Sequence, residues 1–271
     1  MGIELVACDT AVDRFATEER EAAFNITGTL STDLDTQFVR VQRIRDTIEP
    51  DTLRPLDATV TLSDLDTGES RMMTDSLVGL DDGTRGHLMF LRYEVQAGHR
   101  YEIRIEGSDG PTTVATTAIP PRPETTVSNV ETAGSATTQS ITWLEMTKTP
   151  NYAAVVYSLA SDDQSAPSDV VIAYTLRGSL GNSGWTTAVR LSDDQRIARQ
   201  QLDIRQDDRN AVFSGIRMQI RILSDEWSDS KSGENIVGGV GFFGSTGDFT
   251  EEWILDEEAV SALGFVDGQE P

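Results

Sequence analysis

The only thiol in this 271-residue chain, Cys8, closes the tetrapeptide Leu5-Val6-Ala7-Cys8. An apolar residue, a tolerant position, a small residue and then cysteine form the pattern of a bacterial lipobox. There the thiol is alkylated with diacylglycerol and the chain is cut just before the cysteine. The residue types suit that chemistry, because a thiol readily forms a thioether and Ala7 is small enough to leave the scissile bond reachable. A charged start and an apolar core of about 7–15 residues should precede such a site, and Met1-Gly2-Ile3-Glu4 supplies neither. The tetrapeptide alone leaves two readings open, lipidation at Cys8 or an ordinary free thiol.

Other reactive side chains are sparse or undirected. The two histidines, His87 and His99, each follow a glycine. A Ser-His-Asp triad needs a histidine held between carboxylate and nucleophile, and a Gly-x-Ser-x-Gly elbow is missing from the sequence. His99 reads as a solvated turn residue and His87 as a strand start. Paired carboxylates occur throughout, so glycosidase chemistry, which needs two at a defined separation, is neither indicated nor excluded by inventory. Trp143, Trp185, Trp227 and Trp253 could face a sugar; in strand-rich surroundings the plainer expectation is core or sheet-edge packing. Asp64-x-Asp66-x-Gly68 resembles part of a calcium loop, but counting from Asp64 the sixth and twelfth positions hold Glu69 and Asp75 instead of glycine and glutamate. A turn of hydrated carboxylates is the better reading. The glycine-rich stretch 233–244 lacks a phosphate-loop lysine at the right place. No catalytic residue, metal ligand or cofactor site is therefore assigned.

Charge is the strongest compositional signal. Asp and Glu number 45 against 22 Lys and Arg, a net charge of −23, and only Lys148 and Lys231 are lysines. Such a surface repels nucleic acid and anionic lipid headgroups. Dispersed carboxylates with almost no lysine suit a protein working in molar salt; a merely acidic secreted protein is the alternative. The sequence has no apolar run near the ~20 residues of a membrane helix.

The elements that would carry these residues are predominantly β. Residues 9–22 read as a charged tether. From Ala23 onward, runs such as Phe38-Val39-Arg40-Val41 and Tyr101-Glu102-Ile103-Arg104-Ile105 alternate with a period of two, and turn signals recur every 8–12 residues up to Ile119. Pro120-Pro121-Arg122-Pro123 cannot join a ladder and reads as a stiff link. Beyond it, strands are expected at 140–146, 153–159, 170–176, 185–191, 198–204 and 215–223, with Asp193-Asp194 as a turn. The segment Gly238-Gly239-Val240-Gly241-Phe242-Phe243-Gly244 is expected to be a strand of the second domain, with Val240 and Phe242 on one face and Phe243 on the other. A closing helix is expected, capped by Asp256, stapled by Leu255 and Val260 and stopped by Gly264. The expected fold class is all-β: two β-sandwich, immunoglobulin-like domains in tandem with a short C-terminal helix. The boundaries are 1–22 tether, 23–119 first sandwich, 120–123 linker and 124–271 second sandwich.

Four stretches in order carry a resemblance. They are the Cys8 start, 23–30 followed by 37–41, 97–103 leading to Ile119-Pro120, and 235–244. This order resembles the uncharacterised outer-membrane lipoproteins often encoded beside TonB-dependent receptors, with an immunoglobulin-like N-terminal domain and a second β-rich domain. The resemblance implies a lipid anchor on Cys8, a place at the outer membrane on either side, and a non-enzymatic role as an accessory binding or docking module for a β-barrel receptor. It implies no catalytic residue and no cofactor. A carbohydrate-binding module or carbohydrate-active enzyme at the cell surface is the alternative.

Overall fold

Alternation decides which way most side chains point. In the strand Arg100–Gly107, Tyr101, Ile103 and Ile105 are fully buried while their neighbours face outward, as a period of two requires. The computed structural model describes residues 22–44, 54–79, 85–108, 110, 112–160, 167–205, 211–228 and 231–269. The expected tether and Cys8 lie outside the described residues.

Eight strands come first: β1 (Phe24–Ser31), β2 (Thr36–Arg43), β3 (Ala58–Asp64), β4 (Ser70–Met72), β5 (Thr74–Gly79), β6 (Arg85–Arg92), β7 (Arg100–Gly107) and β8 (Thr113–Ala118). After the proline run come β9 (Thr125–Val127), β10 (Glu131–Ala133), β11 (Ala136–Leu144), β12 (Tyr152–Ala160), β13 (Ser168–Ala173), β14 (Gly178–Gly181) and β15 (Gly184–Val189). Helix α1 (Leu191–Gln201), β16 (Val212–Leu223), a 3-10 turn (Asp225–Trp227), β17 (Ile236–Val237), β18 (Gly239–Trp253), α2 (Glu257–Ala262) and β19 (Val266–Asp267) complete the order. The fold is all-β, built as two sandwiches.

The two sandwiches are not independent beads. One nine-stranded sheet runs through both in the order β13-β12-β16-β18-β1-β2-β6-β5, with β19 on β16. Its β18-to-β5 half packs on the sheet β17-β8-β7-β3-β4 around Phe24, Ile26, Leu30, Tyr101 and Phe243. Its other half packs on the sheet β10-β11-β15-β14, to which β9 adds, around Trp143, Trp185, Tyr157, Tyr174 and Phe213.

The joint is β18. Its first half lies parallel to β1, from Phe24 opposite Gly239 to Ser31 opposite Thr246. Its second half lies antiparallel to β16, from Leu223 opposite Thr246 to Ile216 opposite Trp253. This corrects the expectation that residues 238–244 belong to the second sandwich: they complete the first, and β17 likewise pairs with β8. The assignment of all of 124–271 to the second sandwich changes accordingly. A hairpin-by-hairpin reading places each strand beside its sequence neighbours; β1 does pair with β2 on one edge, but its partner on the other edge lies more than 200 residues away. The expected faces are observed: Phe243 is buried, Val240 is exposed, and Phe242 lies on the same face as Val240.

Glycine makes this parallel contact sterically possible. Gly241 has φ +119°, and a Cβ there would lie 2.0 Å from the Ile26 carbonyl oxygen and 2.4 Å from Asn25 Oδ1. The side-chain amide of Asn235 then ties the insertion down, donating to the carbonyls of Thr116 on β8 (2.5 Å) and Phe243 on β18 (2.6 Å).

A second correction concerns 191–204. The strand expected at Trp185–Leu191 is present as β15 and ends at Val189, but the sequence reading also makes Ala198–Ile204 a strand, with Asp193-Asp194 before it as a turn. Instead α1 spans Leu191–Gln201 and buries Leu191, Asp194 and Ala198 at helical spacing. Its length conceals it, because three turns carry only a narrow apolar stripe. The closing helix is as expected. Asp256 caps α2, its Oδ1 accepting from the Ala259 N–H at 2.6 Å, Leu255 and Val260 are buried, and Gly264 follows at φ +74°.

Candidate functional site

Where β18 passes from one sandwich to the other, its backbone and side chains must satisfy groups on both sides. Ser245 sits at that point, fully buried. Its hydroxyl donates to the Ala118 carbonyl at 2.7 Å and accepts from Thr117 Oγ1 at 3.2 Å. Its N–H donates to Ser224 Oγ at 2.9 Å and its carbonyl accepts from the Ser224 N–H at 3.0 Å and Trp227 Nε1 at 3.2 Å. One residue thus fixes the end of β8, the end of β16 and the 3-10 turn against each other.

The proline run lies over this seam. Pro120 is buried, and a Cβ on Gly247 of β18 would meet its ring at 3.2 Å. Arg122 donates to the Thr250 carbonyl at 2.7 Å and its guanidinium stands 6.0 Å from the Phe249 ring centre. The link expected to separate two domains is instead fastened along the strand they share.

Between this link, the loop after β11 and the end of β16 lies a cleft of about 600 Å³. That is within the ~300–1,000 Å³ usual for ligand sites. Its buried floor is formed by Ile119, Met146 and Ile222, and its rim by Arg122, Glu124, Glu145, Lys148, Asp225 and Glu226. Glu145 holds a left-handed backbone at φ 58°, unusual for a residue with a Cβ, with its N–H bonded to the Ser183 carbonyl at 3.1 Å.

Both lysines of the chain converge here on one carboxylate. Lys231 Nζ donates to Asp225 Oδ2 at 2.8 Å, while Lys148 Nζ lies 3.4 Å from Asp225 Oδ1 and donates to the Leu223 carbonyl. The Lys231 hydrogen bond, with the Lys148 charge, holds the Asp225 carboxyl below its ordinary range. Reciprocally, the hydrogen bond to Asp225 pushes the Lys231 ammonium up. The cluster is a fixed, exposed charge array rather than an acid or base poised near neutrality. Sequence reasoning noticed the scarcity of lysine but not the meeting point; that only two lysines occur was the available signal.

The residues singled out from sequence are dispersed. His87 is buried with Nδ1 2.9 Å from both oxygens of Asp75, and Asp75 also accepts from the Leu56 N–H at 2.7 Å. His99 is not a free turn residue: its Nδ1 lies 2.9 Å from buried Asp64 Oδ2. Asp64 caps its own turn, accepting from the N–H of Asp66 at 2.9 Å and of Thr67 at 3.1 Å. Burial pushes the Asp64 carboxyl up, but the His99 and backbone hydrogen bonds outweigh it and leave it below its ordinary value. No cluster of three or more metal-ligating side chains occurs among the described residues. Trp143 and Trp185 are fully buried and opposite each other across β11 and β15. Trp253 donates to Gln139 Oε1 at 2.8 Å. Trp227 alone is substantially exposed, set edge-on to Phe242 at 4.7 Å. The four tryptophans therefore form no common wall.

A buried polar group that the sequence reading took for a turn residue is Asp194 on α1. Its Oδ2 accepts from Tyr157 Oη at 2.8 Å and Tyr174 Oη at 2.5 Å. Arg177 lies 3.6 Å from Oδ1 and over the Tyr174 ring at 4.6 Å. Burial pushes the Asp194 carboxyl up despite these partners, and burial likewise raises both tyrosines. This cluster pins α1 to β12 and to the chain just after β13 and is structural.

Residues 13–226 match the family model described as Domain of unknown function (DUF4249). No curated protein matches. Among solved structures, a pullulanase from Anoxybacillus sp. LM18-11 is 12% identical over 73% of this chain with a TM-score of 0.22, and this chain spans only 24% of it. A two-domain fibronectin type-III segment of chicken tenascin is 13% identical over 85% of this chain and 96% of its own, with a TM-score of 0.22. At those scores neither likeness bears on function.

Proposed function

We propose that this chain, which belongs to the DUF4249 family, is a non-enzymatic cell-envelope lipoprotein that docks onto an outer-membrane TonB-dependent receptor, the role implied by the resemblance of its Cys8 start and its strand stretches. The observation that carries this reading is the seam cleft, a preformed concavity with an apolar floor on a backbone that the shared strand braces from both sides. Rigid presentation of a cleft suits binding, since little ordering entropy is lost when a partner arrives. The groups with the capacity for chemistry support the same reading. His87, His99 and Asp194 are each committed to an internal carboxylate or hydroxyl partner. The sugar-binding alternative finds less support, because two of its four tryptophans are core residues.

The anchor in this proposal is a thioether lipid on Cys8. Each buried methylene contributes about 0.8 kcal/mol to membrane retention, so several acyl chains hold the domain firmly. The test is fractionation of cells expressing the protein behind a complete export signal, followed by detergent solubilisation and capture. Wild type should sediment with membranes and bring down a TonB-dependent receptor, and Cys8→Ser should be released to the soluble fraction. An unchanged distribution of Cys8→Ser contradicts the anchor. Capture without any receptor contradicts the docking role.

A further inference from the structure

We propose that the seam cleft receives a basic segment of a partner polypeptide carrying an apolar anchor residue. The inference rests on the docking role and adds the chemistry of the docked part. The floor is apolar, formed by Ile119, Met146 and Ile222, each exposed by 8% or less. An apolar side chain entering it removes hydrocarbon from water on both partners.

The rim decides which charge flanks that anchor residue. Both of its cationic side chains are already occupied. Arg122 is held by the Thr250 carbonyl and lies 3.8 Å from Glu251. Lys148 is held by the Leu223 carbonyl and Asp225. The remaining carboxylates are not. The side chains of Glu124 and Glu145 carry no hydrogen bond or ion pair among the described residues, and Glu226 only shares with Ser245 the single proton of Thr117 Oγ1, at 3.2 Å. An apolar floor beside two carboxylates without cationic partners, Glu124 and Glu145, and a third, Glu226, that shares only the field of Lys231 fits arginine or lysine on either side of an apolar residue. It disfavours an acidic segment, which would meet like charge.

A fluorescein-labelled peptide of alternating arginine and leucine, titrated against the full chain by fluorescence anisotropy at 0.15 M salt, tests this. It should bind, and the same peptide with arginine replaced by aspartate should not. Glu124→Gln, Glu145→Gln and Glu226→Gln combined should weaken binding by about tenfold, the sum of three modest exposed ion pairs. A control combination of Glu106→Gln, Glu131→Gln and Glu258→Gln, all exposed and outside the cleft, removes the same net charge and should leave affinity within about twofold. Equal loss in both combinations would reduce the effect to the general −23 field and overturn the proposal. Absence of peptide binding would also overturn it, and self-association lost in the cleft variant would assign the cleft to a second copy instead. If the receptor is captured equally by wild type and the cleft variant, docking stands and this assignment falls.

Discussion

Replacing Gly241 by alanine should damage a sandwich that the substituted residue does not belong to. The new Cβ would sit 2.0 Å from the Ile26 carbonyl oxygen, far inside contact distance, on a backbone at φ +119°. Strain of a side chain in that region costs about 1–3 kcal/mol, and forcing β18 away from β1 adds about 1–3 kcal/mol of overpacking. The total, about 4 kcal/mol, is a large share of the ~5–15 kcal/mol typical of a folded domain. Gly68→Ala is the matched control. Gly68 has φ +77° but open space where its Cβ would go, so it carries backbone strain alone, about 1 kcal/mol. Urea unfolding followed by tryptophan fluorescence makes the comparison in a Trp227→Phe background, which removes the one tryptophan packed on Phe242 beside Gly241, so that Trp143, Trp185 and Trp253 report on the second sandwich. Since β18 belongs to both, Gly241→Ala should lower the fluorescence midpoint well below that of Gly68→Ala. If the fluorescence midpoint stays at the wild-type value while the first sandwich weakens, the two sandwiches are independent and the shared-strand reasoning is wrong.

Asp194→Ala should cost about 3 kcal/mol by stranding two buried tyrosine hydroxyls, read as a drop in the urea midpoint. Because burial raises the Asp194 carboxyl above its ordinary 3.8, the folded state holds that proton more tightly than the unfolded chain. Its contribution is therefore fully present below about pH 3.8 and lost as pH rises through the folded value. Asp194→Asn should flatten that slope in denaturation curves taken across pH, and an unchanged slope would place the titration elsewhere. The −23 charge with only two lysines predicts a urea midpoint that climbs with sodium chloride beyond the range where ordinary surfaces are already screened; a flat midpoint contradicts salt adaptation.

Local physics was readable from the sequence and long-range pairing was not. The period of two in Tyr101, Ile103 and Ile105, the turn at Asp64–Glu69 and the Asp256 cap are signals confined to a few residues, and each appears where expected. The glycine segment announced close backbone approach, yet nothing local says that the approaching backbone is β1. Helix α1 was missed because Asp193 and Asp194 suit a turn as well as a first helical turn, and only the buried Tyr157 and Tyr174 hydroxyls choose between them. The seam cluster joins residues from 118 to 245 through hydroxyl and backbone contacts, so its parts carry no common motif.

Site-specific photocrosslinking in cells tests the proposed docking at the seam cleft most directly. A benzophenone side chain at Thr147, exposed on the cleft wall, should form an adduct with a TonB-dependent outer-membrane receptor, the partner proposed above. The same group at Leu176, 97% exposed and outside the cleft, should form none. Receptor adducts from neither position, or equally from both, would contradict the claim that the seam is where this protein docks.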